Sequence, residues 1–146
     1  MERMPTGAEL KPWGWTLSLG SDRERLNGGI ELRAIDRRAL ACIRSGGYSS
    51  IHRHDFQSNA FYCLDGHLVV QTYVLELGRP MLDQTYHLFA GDSLIIPAVK
   101  LHKFLALTDV RLLEVYVASV GREARAEDIV RFSDNGCDES LVLQHV

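Results

Sequence analysis

From Trp13 to Val120 the chain is a succession of short β-prone runs, each closed by Gly, Asp, Asn or Pro, with no long apolar stripe of 3.6-residue period. This pattern predicts an all-β fold. Strands are expected at 13–19, 30–34, 39–44, 60–64, 67–75, 84–89, 93–96, 103–106 and 112–117, and about nine strands are enough to close a barrel or jelly roll. Asn27-Gly28-Gly29, Ser45-Gly46-Gly47, Asp65-Gly66 and Ala90-Gly91-Asp92 supply residues that tolerate positive φ where a strand reverses. Asp65-Gly66 reads as the clearest hairpin. Residues 124–130 are expected to form a short C-terminal helical segment.

The 146 residues, 46% of them apolar and 24% charged, suit one domain over 1–146, with the barrel core at about 13–120. No run approaches the roughly 18 consecutive apolar residues of a membrane span. Met1-Glu2-Arg3-Met4-Pro5 lacks the apolar core of a signal peptide, so a cytoplasmic location is expected. A formal charge of −3, with basic residues scattered along the chain, gives no attraction toward nucleic acid. The 3 cysteines, Cys42, Cys63 and Cys137, are odd in number and form no C-x-x-C pair, which argues against a disulfide framework or a cysteine zinc site. Cys42 and Cys63 are read as core thiols.

The chemistry-bearing residues are histidines. His52 and His54 are two apart at the head of an expected strand, so both imidazoles fall on one face. His102 precedes the β-prone run Lys103 to Leu105, from which a neighbouring strand would bring it opposite the pair. Three neutral imidazoles suit zinc, iron, nickel, manganese or copper. His67, His87 and His145 are placed outside the site.

Gly46, His52-Arg53-His54, Asn59 and Gly66, at intervals of five, four and six residues, resemble the first motif of the cupin superfamily. Gly91-Asp92-Ser93-Leu94-Ile95-Ile96-Pro97 followed by His102 resembles the second. The resemblance implies a double-stranded β-helix in which His52, His54 and His102 surround one divalent ion, zinc, manganese, iron or nickel. Asn59 stands where that family places its glutamate ligand, Val99 where it has a glycine after Pro97, and Ala106 where it has asparagine. Asn59 is therefore a candidate additional ligand or substrate contact. Lys11-Pro12-Trp13-Gly14 and Glu127-Asp128-Ile129-Val130-Arg131-Phe132-Ser133-Asp134 are further similar to the ends of the C-terminal cupin domain of type II mannose-6-phosphate isomerases. That family interconverts an aldose and a ketose phosphate, but 56–61 lack the arginine and glutamate of its metal strand. The chain thus resembles a diverged, free-standing version of the domain.

Three functions follow as expectations. The first is a metal-dependent enzyme acting on a sugar or sugar phosphate; the second is a non-catalytic barrel that binds a carbohydrate or other small molecule; the third is a ferrous dioxygenase. Arg44, Arg53 and Lys100 are candidates to meet an anionic ligand at the mouth, and Tyr62 and Tyr73 to line the cavity. Trp13 and Trp15 are expected to share a face that covers the barrel end or a partner, and a homodimer is expected.

Overall fold

The computed structural model describes residues 3–29 and 31–145. The strands are β1 Glu9–Lys11, β2 Gly14–Gly20, β3 Arg23–Leu26, β4 Glu31–Ala34, β5 Asp36–Ile43, β6 Gly47–Tyr48, β7 His52–Arg53 and β8 Gln57–Asp65. They continue as β9 Leu68–Glu76, β10 Arg79–Leu88, β11 Ser93–Ile96, β12 Leu101–Ala106, β13 Val110–Ala118, β14 Val130–Arg131 and β15 Gly136–Cys137. One antiparallel sheet has the order β1-β2-β5-β13-β8-β11 and the other β10-β9-β12-β6-β15, with β7 bridging β12 and β14. Ile43, Phe61 and Leu112 of the first sheet meet Leu68, Val70, Phe104 and Ala106 of the second in one buried cluster. The result is an all-β jelly roll.

Strand parity divides this interior into two halves. Along β8 the inward residues are Cys63, Phe61, Asn59 and Gln57, all buried, while Tyr62 and Leu64 face out. On β13 the same alternation gives Val110, Leu112, Glu114 and Tyr116, and on β5 it gives Ile43, Ala41, Ala39 and Arg37. Register aligns Arg37 with Tyr116 and Tyr116 with Asn59 at one level, and Ala41 with Leu112 and Leu112 with Cys63 at another. The opposing sheet has the same gradient: Leu68, Val70 and Thr72 on β9 pair with Ala106, Phe104 and His102 on β12. One end of the barrel is therefore hydrocarbon and the other polar, which leaves a site where core would otherwise be.

Several expected boundaries move outward. β5 begins at Asp36, β8 at Gln57, β10 at Arg79 and β12 at Leu101, so His102 lies inside its strand rather than before it. The strand expected at 30–34 is present from Glu31, and Ile30 lies outside the described residues. Asp65-Gly66 is not a hairpin. β8 pairs with β11 and β13 while β9 pairs with β10 and β12, so the turn carries the chain from one sheet to the other. Gly66 is needed there because its φ is 92° and a Cβ would stand 2.3 Å from the Asp109 carbonyl oxygen. The tight hairpin is β9–β10, where Leu77 (φ 50°) and Gly78 (φ 76°) form a two-residue loop between paired Glu76 and Arg79.

The helical segment also lies elsewhere. Residues 124–129 form a non-helical strap, and the only α-helix among the described residues is α1, Ser140–Leu143. The strap cannot coil because its polar groups are engaged by the barrel. Gln57 donates from Nε2 to the Arg125 carbonyl (3.0 Å) and accepts from the Arg125 amide (3.2 Å). The Asp128 carboxylate accepts from the amides of Asp55 (2.8 Å) and Phe56 (2.9 Å).

Candidate metal centre

His52 and His102 are direct cross-strand partners on β7 and β12, and His54 follows just beyond β7 on the same side. The ring centroids are 4.4 Å apart for His52 and His102, 5.0 Å for His52 and His54, and 5.5 Å for His54 and His102. One ring nitrogen from each lies within 4.8 Å of the others, a spacing that one ion can bridge.

Main-chain carbonyls orient all three rings. Nδ1 of His52 meets the Ser50 carbonyl at 2.8 Å, Nδ1 of His54 the Asp128 carbonyl at 2.6 Å, and Nδ1 of His102 the Lys100 carbonyl at 2.9 Å. A carbonyl only accepts, so each Nδ1 carries the proton and each Nε2 keeps a lone pair. Nε2 of His54 and of His102 is buried with no hydrogen-bond partner. Such atoms are costly unless something fills the space between them.

Burial lowers the pKa of all three. His102 is held at about 4, chiefly because burial strips water from the imidazolium, with the Lys100 carbonyl opposing and His54 adding to the effect. His52 lies well below its ordinary value for the same first reason, reinforced by His102 and His54. His54 is lowered by burial, against the pull of Asp128. The rings are therefore neutral near pH 7, the state in which imidazole ligates. Three pinned Nδ1 atoms, the unpartnered Nε2 atoms of His54 and His102, and a neutral donor set fit a borderline divalent cation.

His52 and His54 line a cavity of about 180 Å³ together with Arg37, Asn59, Glu114, Tyr116 and Arg131, floored by Trp13, Phe61 and Phe104, and His102 packs against both rings. Glu114 is buried, and desolvation raises its pKa despite Tyr116, Asn59 and Arg37 nearby. Tyr116 is raised well above the usual phenol range, by burial first and then by Glu114. Asn59 Oδ1 is buried without a partner. Asn59 thus faces the cavity, and the ring nitrogens that lie close enough to share an ion are those of His52, His54 and His102.

Of the other candidate residues, Arg44, Arg53, Lys100, Tyr62, Tyr73, Trp15 and His67 lie outside the cavity lining, whereas Trp13 belongs to it. Arg53 pairs with Asp55 (2.8 Å), Lys100 with Asp83 (2.7 Å), and Arg44 donates to the Pro12 carbonyl (3.1 Å). Tyr62 faces outward and Tyr73 donates to Gln71 Oε1 (3.1 Å). Trp13 and Trp15 are both buried within the single chain, Trp13 against the edge of Phe104 at 5.3 Å, so neither needs a partner to cover it. His67 contacts His87 (2.8 Å) and stacks on Phe89, outside the cavity. Cys42 and Cys63 are buried, as expected of core thiols.

Arg37, Glu114, Tyr116 and Arg131 went unrecognised in the sequence. For three of them a signal existed: once Ala39, Ala41 and Leu112 are assigned inward, period 2 places Arg37, Glu114 and Tyr116 on the same face.

Residues 39–116, more than half of the chain, match the profile of the cupin domain, and the chain belongs to the cupin family. Among solved structures, oxalate decarboxylase from Bacillus subtilis at pH 4.6 aligns with a TM-score of 0.62 and 17% identity over 86% of this chain and 29% of that one. A variant of the same enzyme gives 0.60 and 18% over 86% and 30%. The chain thus spans about three tenths of the length of these proteins, and the likeness shows the fold. No curated protein sequence matches it. No helix among the described residues is long and apolar enough to cross a membrane.

Proposed function

We propose that the chain is a metal-dependent cupin enzyme acting on a small hydroxyl-bearing substrate of the sugar or sugar-phosphate class, with His52, His54 and His102 as ligands of one zinc, manganese, iron or nickel ion. The observation that carries this reading is the division of labour within the rings: every Nδ1 is held by a carbonyl, and the buried Nε2 atoms of His54 and His102 have no hydrogen-bond partner. A divalent ion there would supply Lewis acidity, polarising a substrate oxygen. The opposite wall is suited to the remaining tasks. Asn59 would orient a substrate oxygen through its unpartnered Oδ1. Glu114, held above the ordinary carboxylate range, would take and return a proton, with Tyr116 beside it. The hydrocarbon floor of Trp13, Phe61 and Phe104 would exclude bulk water. The sugar assignment is supported by the resemblance of 11–14 and 127–134 to the isomerase cupin.

Elemental analysis of protein prepared without chelator tests the first step. Near-stoichiometric metal is expected, and His52→Ala should abolish it. Metal-free native protein that gains no thermal stability from any of the four ions would end the proposal. Incorporation of solvent deuterium into mannose 6-phosphate or fructose 6-phosphate tests isomerisation.

A second reading, a non-catalytic carbohydrate-binding barrel, is favoured by Asn59 in the glutamate's place, since a neutral amide is a weaker donor to a dication than a carboxylate. Chelated protein with undiminished carbohydrate affinity would select it, whereas oxygen consumption with ferrous iron would select a dioxygenase. A cytoplasmic homodimer completes the proposal. Exposed Tyr62, Leu64 and Ile95 on neighbouring β8 and β11 support an apolar subunit face, which light scattering would test.

A further inference from the structure

We propose that Arg37 and Arg131 form an anion clamp on the cavity wall, so that the ligand carries a carboxylate or phosphate group held by guanidinium while its neutral part faces the histidines. This rests on the cavity being the ligand site, as proposed above, but not on metal occupancy.

Arg37 stands in the inward row of β5, level with Tyr116 and Asn59, whereas its neighbour Arg38 faces away and pairs with Asp22 (3.2 Å) and Asp36 (3.7 Å). Among the described residues no carboxylate lies within ion-pair distance of Arg37, and its buried Nε has no hydrogen-bond partner. Its guanidinium carbon sits 4.5 Å from the centre of the Tyr116 ring, a stacking contact that fixes the plane of the fork and leaves its edge for a ligand.

Arg131 approaches from the other sheet. It is the cross-strand partner of His52 through β14, donates from Nη1 to Ser50 Oγ at 2.9 Å, and likewise has no carboxylate partner among the described residues. Both arginines line the same cavity as His52 and His54. Elsewhere on the cavity wall, Lys11 is matched by Glu9 at 3.0 Å. Two guanidinium ions therefore face one buried acid, Glu114, in a cavity with a hydrocarbon floor, where charge is poorly screened. Guanidinium presents paired donors that match carboxylate and phosphate oxygens. The sequence candidates Arg44, Arg53 and Lys100 cannot take this role, because none lines the cavity.

The test is calorimetric titration of the full-length protein with inorganic phosphate and, separately, with acetate, both as purified and after chelation and dialysis. Phosphate or acetate should bind chelated protein with a millimolar constant. Arg37→Gln should weaken binding about tenfold or more, the range for a charge-assisted hydrogen bond, and Arg37→Lys should recover part of it. Arg131→Gln should weaken it less, because this residue lies at the exposed rim. The tighter of the two ions identifies the anionic group. If Arg37→Gln lowers the melting temperature sharply, Arg37→Lys and Arg131→Gln carry the comparison. Absence of binding by either ion, or equal binding by wild type and the Arg37→Gln, Arg131→Gln double variant, overturns the clamp. Because these titrations use chelated protein, their failure is distinct from a failure to find metal.

Discussion

Acidifying the metal-free protein should destabilise it through His102 before carboxylate protonation becomes important. In the folded chain this ring, only 1% exposed, takes up its proton at about 4 instead of its ordinary 6.5. The unfolded chain binds the proton near 6.5. Stability from this residue is thus fully present above that pH and is lost as the pH falls toward 4. At about 1.4 kcal/mol for each tenfold difference, the loss is about 3 kcal/mol, against a total of ~5–15 kcal/mol for a typical domain. His52 and His54 are depressed too and act in the same direction. Glu114 acts oppositely: its raised pKa means the folded state is protonated first, so stability returns as the pH drops through that value toward the ordinary 4.5. Urea unfolding of wild type and His102→Gln, from about pH 7.5 to 4, separates the two contributions, because that of Glu114 is common to both proteins. The variant's profile should be flatter by about 3 kcal/mol. Parallel profiles would refute the claim that the ring is held neutral by burial.

Val99 adopts φ 64°, a left-handed conformation that a β-branched side chain resists, at the position where the second cupin motif carries glycine. Val99→Gly should therefore raise stability by about 1 kcal/mol, measured as an upward shift in urea midpoint. Gly66→Ala should do the reverse and abolish soluble expression, since the new Cβ would lie 2.3 Å from the Asp109 carbonyl oxygen. Asp128→Ala should free the amides of Asp55 and Phe56 and release the strap whose carbonyl orients His54. Metal affinity is expected to fall about 10–100-fold, with faster hydrogen exchange across 124–129. Leu112→Ala, at a fully buried site, should cost about 2–5 kcal/mol and leave metal content unchanged.

The three histidines were legible because His52 and His54 are spaced by the strand period and His102 stands five residues after Pro97, within motifs marked by turn glycines. The opposite wall was not, because Arg37, Glu114 and Tyr116 belong to no motif, and only the register between β5, β13 and β8 brings them to one level with Asn59. Starting β5 at Ala39 removed Arg37 from its strand. Asp65-Gly66 misled for a related reason: a turn dipeptide specifies local backbone, whereas both edges of β8 are taken by β11 and β13, so the next strand pairs elsewhere. The 124–130 segment resembled a helix in isolation, but its amide and carboxylate contacts with Gln57, Asp55 and Phe56 come from far along the chain.

The bond from His54 to the Asp128 carbonyl spans 74 residues. During synthesis the two histidines of the first motif, and even His102, leave the ribosome before the group that fixes the angle of the His54 ring exists. The His54 ring can consequently take its final angle only once the chain has been made as far as Asp128 and the strap lies against the barrel. A chain ending before 128 would hold the same three imidazoles without the carbonyl that sets the angle of the His54 ring.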